Sequence, residues 1–190
     1  MVQVAVRPYR PGDAAELGKT YYELYDERDV GELVGITLFT DRPAPEDEKV
    51  WYETQYARAQ REEMIFLVAE VDGHIVGSCT VGMVGPSESS EQAHVAELGI
   101  LVDRRMRGKG VGSALLEAAL EAARAKFEVV YLSVFTFNVG AQRLYERFGF
   151  TVCGVLPRAV KRGGHYFDLV RMARVFDRTP SPPGPTVKHP

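Results

Sequence analysis

The sequence predicts an α/β (α+β) protein in which a mixed, mainly antiparallel sheet of about seven strands is flanked by helices. Two β-rich runs flank Asp72-Gly73, a dipeptide typical of a tight hairpin turn. A strand–helix–strand pattern spans residues 95–136, and such a crossover requires parallel pairing of its two strands. Two further β-rich runs close the pattern, near residues 150–155 and 166–173.

The first part of the chain predicts one strand and two helices. Residues 2–6 form the strand, and Asp13 then caps a helix, with Glu16 three positions later in the register of a capping box. Apolar residues recur at helical spacing along this helix: Leu17, Tyr21, Leu24 and Tyr25. Pro43 and Pro45 are expected to keep the following segment irregular. A second helix is predicted over residues 50–63.

The later elements are more regular. Residues 64–71 and 74–84 form the predicted hairpin, followed by strands at 94–102 and 128–136 and helices at 110–126 and 138–148. Gly149 is expected to end the last helix, because glycine readily adopts positive φ there.

Length and composition indicate one domain over residues 1–176, with a proline-rich, disordered tail over 177–190. No apolar run approaches the ~18 residues that a membrane span needs, and the start does not resemble a signal peptide. We therefore expect a cytoplasmic protein without membrane association. A net charge of −3 argues against a nucleic-acid partner, which would require a concentrated basic face.

The cysteines and histidines predict no metal site. Cys79 and Cys153 lie far apart and outside metal-ligand spacing, so both are interpreted as small buried hydrophobic residues. The four histidines form no pair at helical spacing and no cluster.

The most informative segment covers residues 103–113, which join a strand to a helix and include three glycines within five residues. Gly108, Gly110 and Gly112 allow the backbone to approach a ligand closely and to adopt positive φ. The first amides of the helix are unpaired and lie at the positive end of its dipole. This arrangement predicts a pyrophosphate site, with Arg107 and Lys109 adding positive charge. The alternative is a glycine-rich surface turn.

Two other phosphate motifs do not fit. Ser113 stands where a dinucleotide-binding fingerprint requires its third glycine. Gly18-Lys19-Thr20 ends like a nucleotide P-loop, but five residues instead of four separate Gly18 from Gly12.

The pattern Arg107-x-x-Gly110-x-Gly112 resembles the pyrophosphate-binding motif of GNAT acetyltransferases. A second block is similar to the other half of that family's cofactor site: Asn138-x-x-Ala141-x-x-x-Tyr145-x-x-x-Gly149-Phe150. The resemblance covers residues 64–173 well and the first third only in general plan. It implies a GNAT fold and an N-acetyltransferase that transfers the acetyl group of acetyl-CoA directly to a primary amine, without a metal.

The resemblance also implies roles for individual residues. Backbone groups of Ile100, Leu101 and Val102 would pair with pantetheine, and Asn138 would bond the same arm. Tyr145 would protonate the departing CoA thiolate. The pyrophosphate would be held by the amides of residues 108–113, which are Gly108, Lys109, Gly110, Val111, Gly112 and Ser113. Alternatively, Asn138 is an ordinary helix N-cap and Tyr145 belongs to the core.

Glu97 is the candidate general base. It lies on the strand that leads to the glycine loop, and strand alternation places it on one face with Gly99 and Leu101. Some family members carry a glutamate base at about this position. The ribosomal-protein alanine acetyltransferases use another position, which is Ser133 here. An exposed structural glutamate and a chain of waters remain alternatives.

The acceptor is expected to be the amine of a small molecule or a peptide. Between Glu23 and Glu48 there are nine acidic and two basic residues, a pattern that suits either a cationic amine or a solvated acidic face. The basic segment 156–166 is a candidate for the other wall. The family resemblance and the apolar late strands predict a homodimer. A non-catalytic acetyl-CoA-binding regulatory module is the alternative function.

Overall fold

Seven strands form one sheet in the order β1-β2-β3-β4-β5-β7-β6 in the computed structural model, which describes residues 3–176. All neighbours are antiparallel except β4 and β5, which are parallel. The strands are β1 (Ala5–Pro8), β2 (Met64–Val71), β3 (His74–Met83), β4 (Val95–Val102), β5 (Val129–Phe135), β6 (Thr151–Arg162) and β7 (His165–Val175). The predicted fold class and the crossover at 95–136 are confirmed.

Four α-helices cover the two faces of the sheet: α1 (Ala14–Asp29), α2 (Pro45–Gln60), α3 (Val111–Arg124) and α4 (Val139–Arg147). The apolar stripe of α3, which includes Leu115 and Ala119, is fully buried in the larger core on one face. Leu17 of α1 and Tyr52 of α2 pack with Phe66 of β2 in a second core on the other face. Burial of these two stripes is what holds the helices to the sheet.

The sheet opens between β4 and β5. These strands pair only at their beginnings, where residues 95–97 face residues 129–131. Beyond Glu97, β4 continues along β3 alone, and beyond Tyr131, β5 continues along β7 alone. The backbone groups on the facing edges of the two strands therefore have no strand partner. This cleft leads directly to the glycine loop.

Two sequence predictions about the first helices are wrong. Asp13 does not cap α1 through its side chain; its carboxylate accepts two hydrogen bonds from the Arg7 guanidinium, both 2.8 Å. Glu16 instead accepts a hydrogen bond from the backbone amide of Ile75 at 2.6 Å. Pro45 starts α2 instead of breaking it, since proline lacks an N–H that the first helical turn would leave unpaired anyway.

The late hairpin also differs from expectation. β6 and β7 extend well beyond the predicted 150–155 and 166–173, and they are joined at Gly163-Gly164, both with positive φ. β6 is an edge strand, so Cys153 is exposed and not buried as predicted, whereas Cys79 on β3 is fully buried. The predicted disordered tail, residues 177–190, lies outside the described residues.

Within residues 3–176, none of the helices has the length and apolarity that crossing a membrane requires. The cytoplasmic location stays a prediction.

Candidate active site

The loop between β4 and α3 presents unpaired backbone amides. Gly108 and Gly110 have φ of 73° and 92°, a region that favours glycine, so their identity follows from the path of the chain. The first helical hydrogen bond of α3 runs from the Ala114 amide to the Gly110 carbonyl. The amides of Val111, Gly112 and Ser113 therefore have no backbone acceptor, and the positive end of the α3 dipole lies beside them.

The lack of a side chain at Gly112 allows the start of α3 to pack closely against α4 and β4. A Cβ built on Gly112 would lie 3.3 Å from Leu144 of α4 and 4.0 Å from Ile100 and Val102 of β4. Val111 is fully buried, so its side chain anchors the start of α3 in the larger core. The predicted pyrophosphate loop is thereby brought next to the open edge of β4 and to α4.

Three arginines of this loop form ion pairs with α1 and the turn after it. Arg107 donates to both carboxylate oxygens of the buried Glu27, at 3.0 and 3.2 Å, and to the Val102 carbonyl at 3.3 Å. Two outer pairs flank it: Arg105 with Glu23 and Arg104 with Glu32, both 2.8 Å. The side chain of Arg107 is thus held by α1, while Lys109 is exposed.

These pairs explain much of the acidic segment between Glu23 and Glu48. Besides the three partners of the loop, Asp26 pairs with Arg42, Asp29 pairs with Arg28, and the Asp47 carboxylate accepts from the Ala44 amide. Five of the nine acidic residues in this segment are therefore paired with arginines of the same chain. No motif in the sequence connects the loop arginines with their partners on α1, because Arg107 and Glu27 are 80 residues apart and Arg105 and Glu23 are 82 apart.

Asn138 lies at the start of α4, on the β5 side of the cleft. Its Oδ1 accepts a hydrogen bond from the Ala141 amide at 3.2 Å, so it is the N-cap of the helix. A Cβ on Gly35 would lie 2.4 Å from its Nδ2, which places the loop between α1 and α2 directly against this amide. The capping role is therefore real, and the amide group remains beside the cleft.

Tyr145 is buried in α4, with Phe150 edge-on at a ring distance of 6.0 Å. Burial, and secondarily the neighbouring Cys79 thiol, raises the pKa of Tyr145 well above its ordinary value. Its hydroxyl has no hydrogen-bond partner among the described residues. It is thus protonated at neutral pH and free to donate to a ligand. Burial also raises the pKa of Cys79 to about 12, which makes this thiol a poor nucleophile.

Glu97 is exposed at the point where β4 and β5 separate, and it is paired in register with Tyr131. Burial and the negative charge of Glu97 raise the pKa of Tyr131. Arg171 of β7 stacks over the Tyr131 ring, with its guanidinium carbon 4.9 Å from the ring centroid. Glu97 and Arg171 are therefore both neighbours of Tyr131, and Arg171 has no ion-pair partner within residues 3–176. No sequence motif marks Arg171 as a site residue, because only the β5–β7 pairing brings it here.

Arg162 fixes the loop between α1 and α2. From the end of β6 it donates to the carbonyls of Val34 and Ile36, at 2.9 and 2.8 Å, and its guanidinium lies over the Phe135 ring at 5.2 Å. Together with the contact between Gly35 and Asn138, these bonds hold the loop against the amino end of α4. The basic segment 156–166 thus contributes a structural clamp as well as an exposed hairpin.

The arrangement defines an anion site opening onto a strand edge that is free to form hydrogen bonds, with an acid on one side and a carboxylate on the other. Free amides and positive-φ glycines suit a pyrophosphate, and the unpaired edge of β4 suits an amide-containing chain such as pantetheine. The residues present therefore fit acetyl-CoA as a cosubstrate.

Comparison with known proteins agrees with this geometry. The model of the acetyltransferase (GNAT) family matches residues 36–150, and the chain belongs to that family. It is an acetyl-CoA-dependent N-acetyltransferase, as the two sequence blocks predicted.

The relatives include enzymes with small acceptors. The L-amino acid N-acetyltransferase AaaT of Escherichia coli is 35% identical over 135 residues, covering 70% of this chain and 79% of its own. An L-methionine sulfoximine/L-methionine sulfone acetyltransferase of Pseudomonas aeruginosa is 29% identical, covering 80% and 88%. Among solved structures, a ribosomal-protein-alanine N-acetyltransferase from Brucella melitensis superposes with a TM-score of 0.77 at 26% identity, covering 90% and 99%.

Proposed function

We propose that the protein acetylates the α-amine of a small, amino-acid-like acceptor, in the cytoplasm. The observation that carries the acceptor class is the position of Arg171. Its guanidinium lies over the ring of Tyr131, the register partner of Glu97, and it forms no ion pair within residues 3–176. An arginine so placed can bind the carboxylate of an acceptor whose amine faces Glu97.

Further observations support a small, carboxylate-bearing acceptor over a polyamine or a peptide. The acidic residues that would attract a polycation are largely paired with arginines. The clamp formed by Arg162 restricts the loop beside the cleft, which favours a small molecule over a peptide. AaaT and the methionine sulfoximine enzyme are named for acceptors of this kind. Ser133 stands where the ribosomal-protein alanine enzymes carry a glutamate, which also argues against a protein N-terminus.

The proposed reaction is direct transfer. The acceptor nitrogen attacks the thioester carbonyl carbon, a new C–N bond forms, and the C–S bond breaks. Glu97 takes the proton that the amine loses, and Tyr145 donates to the thiolate that leaves. Amides of residues 108–113 hold the pyrophosphate, and the free edge of β4 at Ile100–Val102 together with Asn138 positions the pantetheine arm. Catalysis then depends on positioning and on proton transfer.

The test is CoA release from acetyl-CoA, measured with a thiol reagent on L-amino acids and on the corresponding amines without the carboxylate. Because Cys153 is exposed and reacts with such reagents, Cys153→Ser provides the background chain. Arg171→Gln should raise KM for amino acids about tenfold or more and leave the amines unchanged. Equal use of both acceptor sets by the unsubstituted chain would overturn the proposed acceptor class. Binding of acetyl-CoA without release to any acceptor would favour the regulatory module.

We also infer a homodimer formed through the edge strand β6. Val152, Val155 and Leu156 are each more than half exposed on this strand. An exposed apolar edge is a common pairing surface. Sedimentation at micromolar concentration tests the inference, and a monomer would remove it.

A further inference from the structure

A cavity of about 860 Å³ lies between α1 and α2, away from the cleft between β4 and β5. Its volume is in the range of small-molecule sites. The wall on α1 includes small residues, among them Ala15 and Gly18. None of its lining residues belongs to the pyrophosphate loop, β4, β5 or α4, so this cavity is separate from the proposed transfer site.

Four tyrosines line the cavity: Tyr9, Tyr22, Tyr52 and Tyr56. Tyr9 is stacked on Tyr52 with ring centroids 6.0 Å apart and meets Tyr56 edge-on at 5.9 Å. Tyr9 also stacks on Phe66 with ring centroids 4.2 Å apart, so these contacts fix the rings in place and cover the faces of Tyr9. The face of an aromatic ring attracts a cation through the ring quadrupole and the edge does not, so the partly exposed Tyr22 and Tyr56 are the rings that a cation would meet.

Glu48 supplies a negative charge to the cavity. Its partly buried carboxylate lies beside Gly18, where an added Cβ would be 4.0 Å from Oε2, and it has no hydrogen-bond or ion-pair partner within residues 3–176. Burial raises the pKa of Glu48 to about 7, as expected for a carboxylate that lacks a compensating cation.

Among the other charged residues around the cavity, the carboxylates already have cationic partners. Glu23 and Asp26 are already paired with arginines, and Glu53 is only loosely paired with Lys49, at 3.8 Å. Lys19 is the other cation in the lining. Glu48 is thus the carboxylate that a bound cation would neutralise.

We propose that this cavity binds a small organic cation, an ammonium group attached to an apolar body. The ammonium would meet Glu48 and the tyrosine rings, and the apolar body would cover the small residues of α1. A neutral apolar ligand would leave Glu48 buried and unpaired, and an anion would face the same carboxylate, so both are disfavoured. The site does not depend on acetyl transfer.

Benzyltrimethylammonium is a suitable probe, because its quaternary nitrogen has no lone pair and cannot accept an acetyl group. Binding is measured on the full chain at pH 8, where Glu48 is ionised, by calorimetry and by the fluorescence of Trp51. Trp51 is the single tryptophan and lies edge-on to Tyr52 at 5.0 Å. We expect saturable binding that is unchanged by saturating acetyl-CoA and weakened about fivefold or more by Glu48→Gln.

Glu46→Gln is the matched control, since Glu46 lies on the same helix, is exposed and does not line the cavity. It should bind the probe like the unsubstituted chain. Equal affinity in the Glu48→Gln and Glu46→Gln chains would overturn the proposal. So would loss of binding in the presence of acetyl-CoA, which would place the probe in the transfer site, or no saturable binding at all. Thermal melting of both variants confirms that each is folded.

Discussion

The guanidinium of Arg107 and the carboxylate of Glu27 form an ion pair with two hydrogen bonds, which holds the loop between β4 and α3 against α1. The two hydrogen bonds are 3.0 and 3.2 Å, and the Glu27 side chain is only 7% exposed. Arg107 belongs to the pattern that resembles the family's pyrophosphate motif, yet its side chain points to a helix. Its role in this structure is to position the loop whose amides we propose to bind the anion.

Glu27→Gln should therefore impair acetyl-CoA binding through the loop. The amide cannot balance the Arg107 charge, so we expect a loss of about 2 kcal/mol of stability. KM for acetyl-CoA should rise severalfold while kcat changes little. Glu32→Gln breaks the exposed pair with Arg104 and should cost less than about 1 kcal/mol, with no change in KM. Similar kinetics for the two variants would show that the buried pair does not position the loop.

Gly110→Ala tests the backbone conformation of the loop. A Cβ on Gly110 would meet no atom within 4 Å, so the cost arises from its φ of 92° alone. We expect a loss of about 1–2 kcal/mol and weaker acetyl-CoA binding, because the chain must rotate out of the left-handed region. Gly154→Ala is the control, since Gly154 has neither positive φ nor a close neighbour. Calorimetric titration with acetyl-CoA and thermal melting measure both effects.

Tyr145→Phe tests whether Tyr145 acts as a general acid or only as a residue of the core. The ring is buried and the hydroxyl has no partner within residues 3–176, so its removal should change stability little. The high pKa of Tyr145 keeps it protonated, and loss of its donation to the thiolate should lower kcat about 10²-fold with KM for acetyl-CoA nearly unchanged. Tyr56→Phe, on α2 and remote from the cleft, is the control. If acetyl-CoA binding collapsed instead, Tyr145 would be a structural residue.

The sequence predicts local elements such as turns and helices well, but it does not predict contacts between residues that are far apart in the chain. The Asp72-Gly73 hairpin and the buried stripe of α3 were predictable because turn chemistry and helical period are encoded within a few neighbouring residues. The pair between Glu27 and Arg107 joins positions 80 residues apart, and Arg171 reaches Tyr131 only through the β5–β7 register. The capping box at Asp13 failed for a different reason, since the nearby Arg7 competes for that carboxylate.

Glu97→Gln tests the proposed base. An amide cannot accept the amine proton, so kcat/KM for the acceptor should fall about tenfold or more at neutral pH. The deficit should shrink above about pH 8, where an α-amine arrives increasingly unprotonated. Glu128→Gln, exposed just before β5, is the control. An unchanged rate in Glu97→Gln would indicate that a chain of waters removes the proton.

The raised pKa of Glu48 predicts that the stability of the folded chain depends on pH. Its folded pKa, about 7, exceeds the ordinary 4.5 because burial disfavours the charged form. The folded chain therefore binds more protons than the unfolded chain between these values, and this group's stabilisation is lost as pH rises from about 4.5 to about 7. The three tyrosines that face Glu48 have pKa values raised above 10 and do not titrate in this range: Tyr21, Tyr22 and Tyr52.

Glu48→Gln should remove this pH dependence. Compared with the unsubstituted chain, the variant should gain about 1 kcal/mol between pH 5 and pH 8 after allowance for solvent screening. Glu46→Gln should leave the pH dependence intact, because Glu46 is exposed. Urea unfolding at several pH values measures the difference, and parallel stability curves for the Glu48→Gln and unsubstituted chains would show that burial does not shift this carboxyl.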